Sequence, residues 1–174
     1  MSGNELFRRL ILVLFCGLYS LAAFSTEETA RAVSGIVSGS VQQVGFRALL
    51  FKQAIQYNLA GTAQNLTNGT VQFLLQGDIG RIEKALEVLD RGTRKSSNVK
   101  IETFTATVKP NLKTFTVIGW TSASRQITAP YNLVFTLRPD GKLISEQEAV
   151  KIYRRILRET LLPADLKKLN GEEE

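Results

Sequence analysis

The 174-residue chain contains no histidine. That absence excludes a histidine general base, a phosphohistidine intermediate, a Ser-His-Asp triad and the common histidine metal sites. Cysteine is nearly missing as well: Cys16 stands alone in an apolar run near the N-terminus, so no intrachain disulfide can form and a cysteine nucleophile in the folded domain is not expected. No GxxxxGK[ST] stretch occurs, which removes a nucleoside-triphosphate P-loop. There is no internal repeat and no low-complexity tract. Chemistry in this chain must come from arginine, lysine, asparagine, acids, hydroxyls and the backbone.

What is present describes a folded and mildly basic protein. Hydrophobic residues make up 44% and charged residues 22%, a globular balance that excludes disorder throughout. Lysine and arginine number 22 against 16 acids, giving a net charge of +6. An excess of this size suits an anionic ligand or a membrane surface and is too weak to argue for nucleic acid. Arg91, Arg94, Lys95 and Lys100 form a basic run with no aromatic interleaving, so it reads as a solvated loop, and no nucleic-acid partner is expected.

The first 25 residues have the order of a targeting segment. Arg8 and Arg9 precede a nearly unbroken apolar run, Leu10 to Phe24, and small residues at Ser20, Ala22, Ala23 and Ser25 permit cleavage. The run is shorter than the roughly 20 residues of a spanning helix. Residues 1–25 therefore read as a signal peptide or short membrane anchor. The expected location is exported (periplasmic, extracellular or lumenal) or membrane-anchored, with membrane association through residues 10–24. Thr26 to Thr29 reads as a linker.

From Arg31 onward the periodicities change quickly. Ala32–Ser38 reads as a strand, Gly39–Gly45 as a glycine-bounded loop, and Phe46–Leu59 as a helix with apolar Phe46, Leu49, Leu50, Ala54 and Tyr57. Gly61–Leu66 and Thr70–Gln76 flank Asn68-Gly69, a hairpin signal. Asp78 caps a helix running to Arg91, with Ile79, Ile82, Leu86 and Leu89 as its stripe and Gly92 after its end. Val99–Val108 is a strand whose inward set shifts between Ile101 and Phe104, suggesting a bulge. Lys113–Ile118 is a short strand. This order predicts an α+β, ferredoxin-like βαββαβ sandwich with helices on one face of an antiparallel sheet.

A further segment follows Trp120. Thr121–Ala129 is polar, Tyr131–Arg138 alternates as a strand, and Pro139-Asp140-Gly141 is a turn. Ser145 and Glu148 form a capping box that opens a helix carrying Ala149, Ile152, Tyr153, Ile156 and Leu157 on one side. Pro163 is expected to stop it, and Lys167–Glu174 to fray. Arg154, Arg155 and Arg158 read as a solvated face. One strand and one helix cannot fold alone. The expected organisation is residues 1–25 as signal or anchor, 26–120 as the main domain, and 121–174 as an added strand and helix packed on that domain or on another subunit.

The loop Gly39-Ser40-Val41-Gln42-Gln43-Val44-Gly45 runs straight into Phe46-Arg47. Unpaired amides at a helix start and in a concave loop attract an anion, and an arginine in the first turn can set its planar fork on the same oxygens. At these residues the sequence resembles the acylphosphatase family. Gly39, Val41, Gln42, Val44, Phe46 and Arg47 match the family's G-x-V-Q-G-V-x-F-R motif. Asn65, Asn68, Gly69 and Val71 match its N-x-x-[DN]-G-x-V hairpin motif, and the resemblance spans about Arg31 to Ile118.

The resemblance implies hydrolysis of a carboxyl-phosphate anhydride to carboxylate and phosphate, with no metal and no cofactor. It implies Arg47 as the phosphoryl-binding residue and Asn65 as the residue that orients water. The loop of Gln42, Gln43, Val44, Gly45 and Phe46 would hold the phosphate oxygens. The implied partner is a small acyl phosphate or inorganic phosphate. Two positions depart from the pattern: Gln43 stands where the family has glycine, and Thr62 where it often has tryptophan. A glutamine where a positive φ is needed costs about 1 kcal/mol or more. The alternative that Gln43 leaves open is a non-catalytic anion- or protein-binding module on the same fold.

Overall fold

The computed structural model describes residues 30–122 and 127–169. The segment read as a signal or anchor, with Cys16 and the Thr26–Thr29 linker, lies outside the described residues. Among the described residues no helix is long and apolar enough to cross a membrane.

The elements follow as β1 (Arg31–Ser40), α1 (Phe46–Tyr57), β2 (Ala60–Asn65), β3 (Val71–Gly77), α2 (Ile79–Arg91), β4 (Ser97–Ala106), β5 (Thr114–Ser122), β6 (Ile127–Thr136) and α3 (Glu146–Leu169). They build one six-stranded sheet in the order β4-β1-β3-β2-β5-β6. The first four strands give the ferredoxin-like arrangement that the sequence predicts. β5 and β6 extend the same sheet beyond β2.

The expectation of an antiparallel sheet fails at one pair. β2 and β5 run parallel, with Gly61 opposite Phe115 and Gln64 opposite Ile118. The reason is the connection from β4. It reverses direction and passes β1, β3 and β2 before starting β5, so β5 runs with β2. Gln76, a buried residue of β3, clamps this connection: Nε2 donates to the Lys109 carbonyl at 2.9 Å and Oε1 accepts from the Lys109 amide at 2.7 Å. A buried amide satisfied at both ends fixes a loop that has few apolar contacts of its own.

One face of the sheet forms the core. Alternate residues Val71, Phe73 and Leu75 of β3, Phe115 and Val117 of β5, and Leu133 and Phe135 of β6 point to the same side and are buried. Against them pack Phe46, Leu50, Phe51, Ala54 and Ile55 of α1, Ile82, Ala85 and Leu89 of α2, and Ala149 of α3. α1 lies between the other two helices and touches both, which is why it is buried over more of its circumference than a single stripe requires. Phe51 meets Phe115 and Tyr153, each at 6.1 Å between ring centres, and so joins the sheet to α3.

Several local expectations hold. The Asp78 side chain accepts from the Arg81 amide at 2.9 Å and caps α2, and Gly92 ends it with φ 69°. The Asn68-Gly69 turn closes with Leu66 donating to the Thr70 carbonyl at 2.9 Å. Half of the capping box forms at the start of α3: Ser145 accepts from the Glu148 amide at 3.2 Å, while the Glu148 carboxylate pairs with Lys151 at 3.6 Å.

Others need correction. Ile79 is 43% exposed, because the first residue of α2 projects past the edge of the helix contact. No shift occurs between Ile101 and Phe104. The irregularity falls between Ser38 and Ser40 opposite Lys100 and Ser97, where Asn98 takes φ 52°, and Phe104 points away from the helices at 56% exposure. β6 begins at Ile127, before Tyr131, because its register with β5 reaches Ser122. Pro163 does not stop the last helix, whose backbone continues to Leu169. A proline removes one amide from the helical ladder and can bend a helix without ending it.

Residues 138–142, between β6 and α3, are tied to the rest of the domain by polar contacts. The Asn58 side chain donates to the Arg138 carbonyl at 3.2 Å and accepts from the Arg138 amide at 2.8 Å. The Arg138 guanidinium donates to the Ile55 carbonyl at 2.8 Å and to the Lys142 carbonyl, and Arg81 donates to the Gly141 carbonyl at 2.7 Å.

Candidate active site

The cradle between β1 and α1 is held from several directions. Val41 and Phe46 are buried and anchor its two ends in the core. The Gln42 side chain donates from Nε2 to the carbonyls of Leu66 and Thr70 at 2.7 and 2.8 Å, which ties the loop to the β2–β3 hairpin. Thr93, just after α2, donates from its hydroxyl to the Val44 carbonyl at 3.0 Å. Gln43 has φ 60°, so the left-handed conformation expected of the family's glycine is kept here by a residue with a Cβ. Its side chain is exposed and makes no hydrogen bond among the described residues.

Gly45, with φ 80°, is the N-cap of α1 and offers no side chain to its amides. No acidic residue stands in the first turn. Helix-start amides that no side chain satisfies form a site for an anion.

Arg47 occupies the first turn of α1. Its Nη1 donates to the Ile118 carbonyl at 2.9 Å and to the Gly119 carbonyl at 2.8 Å. Its Cζ lies 5.5 Å from the centre of the Trp120 ring. Burial lowers the guanidinium pKa from its ordinary value, and an arginine so shifted is still a cation at neutral pH. Asn65 ends β2, and its Oδ1 is buried without a donor among the described residues. The parallel pairing of Gln64 with Ile118 carries Asn65 to the end of the sheet where the Ile118 and Gly119 carbonyls receive Arg47.

Sequence reasoning identifies Arg47, Asn65 and the 42–46 loop, and topology brings the helix start, the end of β2 and the end of β5 to one side of the molecule. It misses the side chains that support them. Thr93 and Asn132 carry no local motif. Trp120 had one available signal, as the only tryptophan of the chain standing next to a glycine. A hollow of about 330 Å³ between α1, α2 and the start of α3 is lined by Lys52, Gln53, Tyr57 and Arg91, and none of the cradle residues borders it. The basic run Arg91, Arg94, Lys95 and Lys100 is exposed, as are Arg154, Arg155 and Arg158.

A glycine-capped loop leading into α1, an arginine held in its first turn and an asparagine at the end of β2 stand together on a small α+β domain. Residues 33–117 match the family model described as acylphosphatase. An acylphosphatase of Chlorobaculum tepidum is 34% identical over 90 residues, covering 52% of this chain and 98% of that protein. One from Koribacter versatilis is 35% identical over 94 residues, covering 54% of this chain and 83% of its own. The crystal structure of acylphosphatase from Bacillus subtilis is similar over 49% of this chain and 94% of that one, at 28% identity and a TM-score of 0.46. The chain belongs to the acylphosphatase family, and its activity is the hydrolysis of acyl phosphates.

Proposed function

We propose that this hydrolysis runs without metal on the residues gathered at the cradle. The amides of Gln42, Gln43, Val44, Gly45 and Phe46 take the phosphoryl oxygens, Arg47 binds the same group with its charge, and Asn65 orients the attacking water. The observation that carries this reading is the buried Asn65 Oδ1 that no donor satisfies, since a water placed there would donate to it and turn a lone pair toward phosphorus. Water adds to phosphorus as the bond from phosphorus to the acyl oxygen breaks. The carboxylate leaves without needing a proton, because the pKa of a carboxylic acid lies near 4. The water's protons remain with phosphate and solvent. Asparagine cannot take a proton and has only to position the nucleophile. Such a loose phosphoryl transfer draws on placement and charge stabilisation more than on a strong base, which suits a chain without histidine.

Gln43 supports a second reading, a cradle that binds an anion without turnover, because its Cβ sits at a positive φ within the loop. One experiment separates the two. Hydrolysis of a synthetic acyl phosphate is followed with chelator present, beside Arg47→Ala and Asn65→Ala. Metal-independent turnover that falls by about 10²-fold or more in each variant supports the enzyme. Phosphate binding through Arg47 with no turnover supports the second reading.

The basic-then-apolar order of residues 1–24 supports export or anchoring of this activity. Fractionation of cells producing the full chain tests it, and activity confined to the soluble cytoplasmic fraction would sink it.

A further inference from the structure

Among the described residues Arg47 has no carboxylate partner; two carbonyls and one aromatic face hold its guanidinium. All three supports, from Ile118, Gly119 and Trp120, come from just past residue 117, where the family match ends. Successive carbonyls of a regular strand point to opposite sides, so a single nitrogen cannot reach two of them. Here it does, because β5 is irregular at this point. Its register with β6 shifts between Val117 and Trp120, and Gly119 takes φ 64°. A local kink of this kind re-aims backbone groups. The Gly119 amide, taken out of the ladder by the shift, donates instead to Oδ1 of Asn132 on β6 at 3.1 Å.

The engagement of Nη1 also selects which part of the arginine is free. Both Nη1 hydrogens are used, one on each carbonyl, while Nε and Nη2 have no acceptor among the described residues. The Nε–Nη2 edge carries two parallel N–H bonds, the geometry that fits two oxygens of one phosphoryl group. The indole face, 5.5 Å from Cζ, adds a third contact that restricts movement of the guanidinium and so helps to direct that edge.

We propose that Trp120 and the Ile118–Gly119 kink, pinned by Asn132 of β6, are positioning elements for Arg47. The added C-terminal strand is then a working part of the phosphoryl-binding site. This rests on the reading of Arg47 as the phosphoryl-binding group.

The test uses the full chain and the variants Trp120→Leu, Trp120→Phe, Asn132→Ala and Arg47→Ala. KM and kcat are measured for a synthetic acyl phosphate, together with the inhibition constant of inorganic phosphate and the thermal midpoint. Trp120→Leu and Asn132→Ala should raise KM and the phosphate inhibition constant by the same factor, about 5- to 30-fold for a partly desolvated cation–π contact, with kcat changed less. Trp120→Phe, which keeps a π face, should recover most of the loss although it too alters packing. A purely structural tryptophan would lower the thermal midpoint and leave both constants within twofold, and that result overturns the proposal. Since Trp120 is the only tryptophan, Arg47→Ala must change its emission spectrum; an unchanged spectrum also overturns it. Undiminished turnover and phosphate inhibition in Arg47→Ala would instead defeat the reading of Arg47 itself.

Discussion

The side-chain amide of Gln42 donates to the carbonyl of Thr70 at 2.8 Å, across the gap between the β1–α1 loop and the hairpin. The same nitrogen reaches the Leu66 carbonyl at 2.7 Å, so one residue ties the loop to both sides of the turn that follows Asn65. Gln42→Ala leaves both carbonyls without this donor and should cost about 1–3 kcal/mol in urea unfolding. Gln42→Glu should be worse at neutral pH, because an ionised carboxylate would face two carbonyl oxygens. That environment raises the folded-state pKa of the introduced acid. The destabilisation is therefore present above that pKa and shrinks as pH falls through it, and unfolding midpoints between pH 7 and pH 4 check the sign.

Gln43→Gly should stabilise the protein. A residue with a Cβ at φ 60° carries strain of roughly 1–2 kcal/mol, and glycine removes it while giving back roughly 0.5–1 kcal/mol through backbone entropy. The expected net gain is a few tenths of a kcal/mol to about 1 kcal/mol by denaturant titration. Gln43→Val, branched at Cβ, should destabilise by about 1 kcal/mol or more.

Gly61→Ala should prevent normal folding. A Cβ at Gly61 would stand 1.8 Å from the Leu74 carbonyl oxygen, at φ 144°, in the paired centre of the sheet. The neighbour is backbone and cannot swing away, so a loss of several kcal/mol is expected. Gly69→Ala makes the comparison: its Cβ would meet nothing within 4 Å, and only the φ of 87° is unfavourable. Its thermal midpoint should fall by a few degrees for a cost of about 1 kcal/mol.

Asn58 combines two roles that substitution can separate. It ends α1 with φ 54° and pairs both side-chain atoms with Arg138. Asn58→Gly keeps the left-handed backbone and deletes the pair, for about 1–2 kcal/mol. Asn58→Ala loses both and should cost about 1 kcal/mol more. Equal losses in urea unfolding would mean that the conformation contributes nothing.

The parts of this architecture legible in the sequence are those set by near neighbours along the chain. Asp78 caps the helix that begins one residue later, Asn68-Gly69 turns the chain where it stands, and Arg47 follows its own cradle. The supports of Arg47 are not legible in this way. They are carbonyls, which every residue has, and they converge only because β5 pairs with β2 on one side and β6 on the other. Phe104 misleads for a related reason. An aromatic in a strand is expected inside, yet its position two residues from Glu102 places both on the face that no helix covers. The local preference of Pro163 argues for a helix end, while the backbone around it stays helical.

The sixth strand has one more effect, on how the molecule meets its neighbours in a crowded solution. The outer side of a sheet is a template on which another chain can add. Without β6 that template would be β5, the strand whose kink receives Arg47, and any chain adding there would compete with the contacts that hold Arg47. With β6 in place the outermost strand contains Pro130, which has no amide hydrogen to offer an incoming partner. The chain thereby sets a proline-bearing strand between the Arg47 contacts on β5 and any chain that would add at that edge.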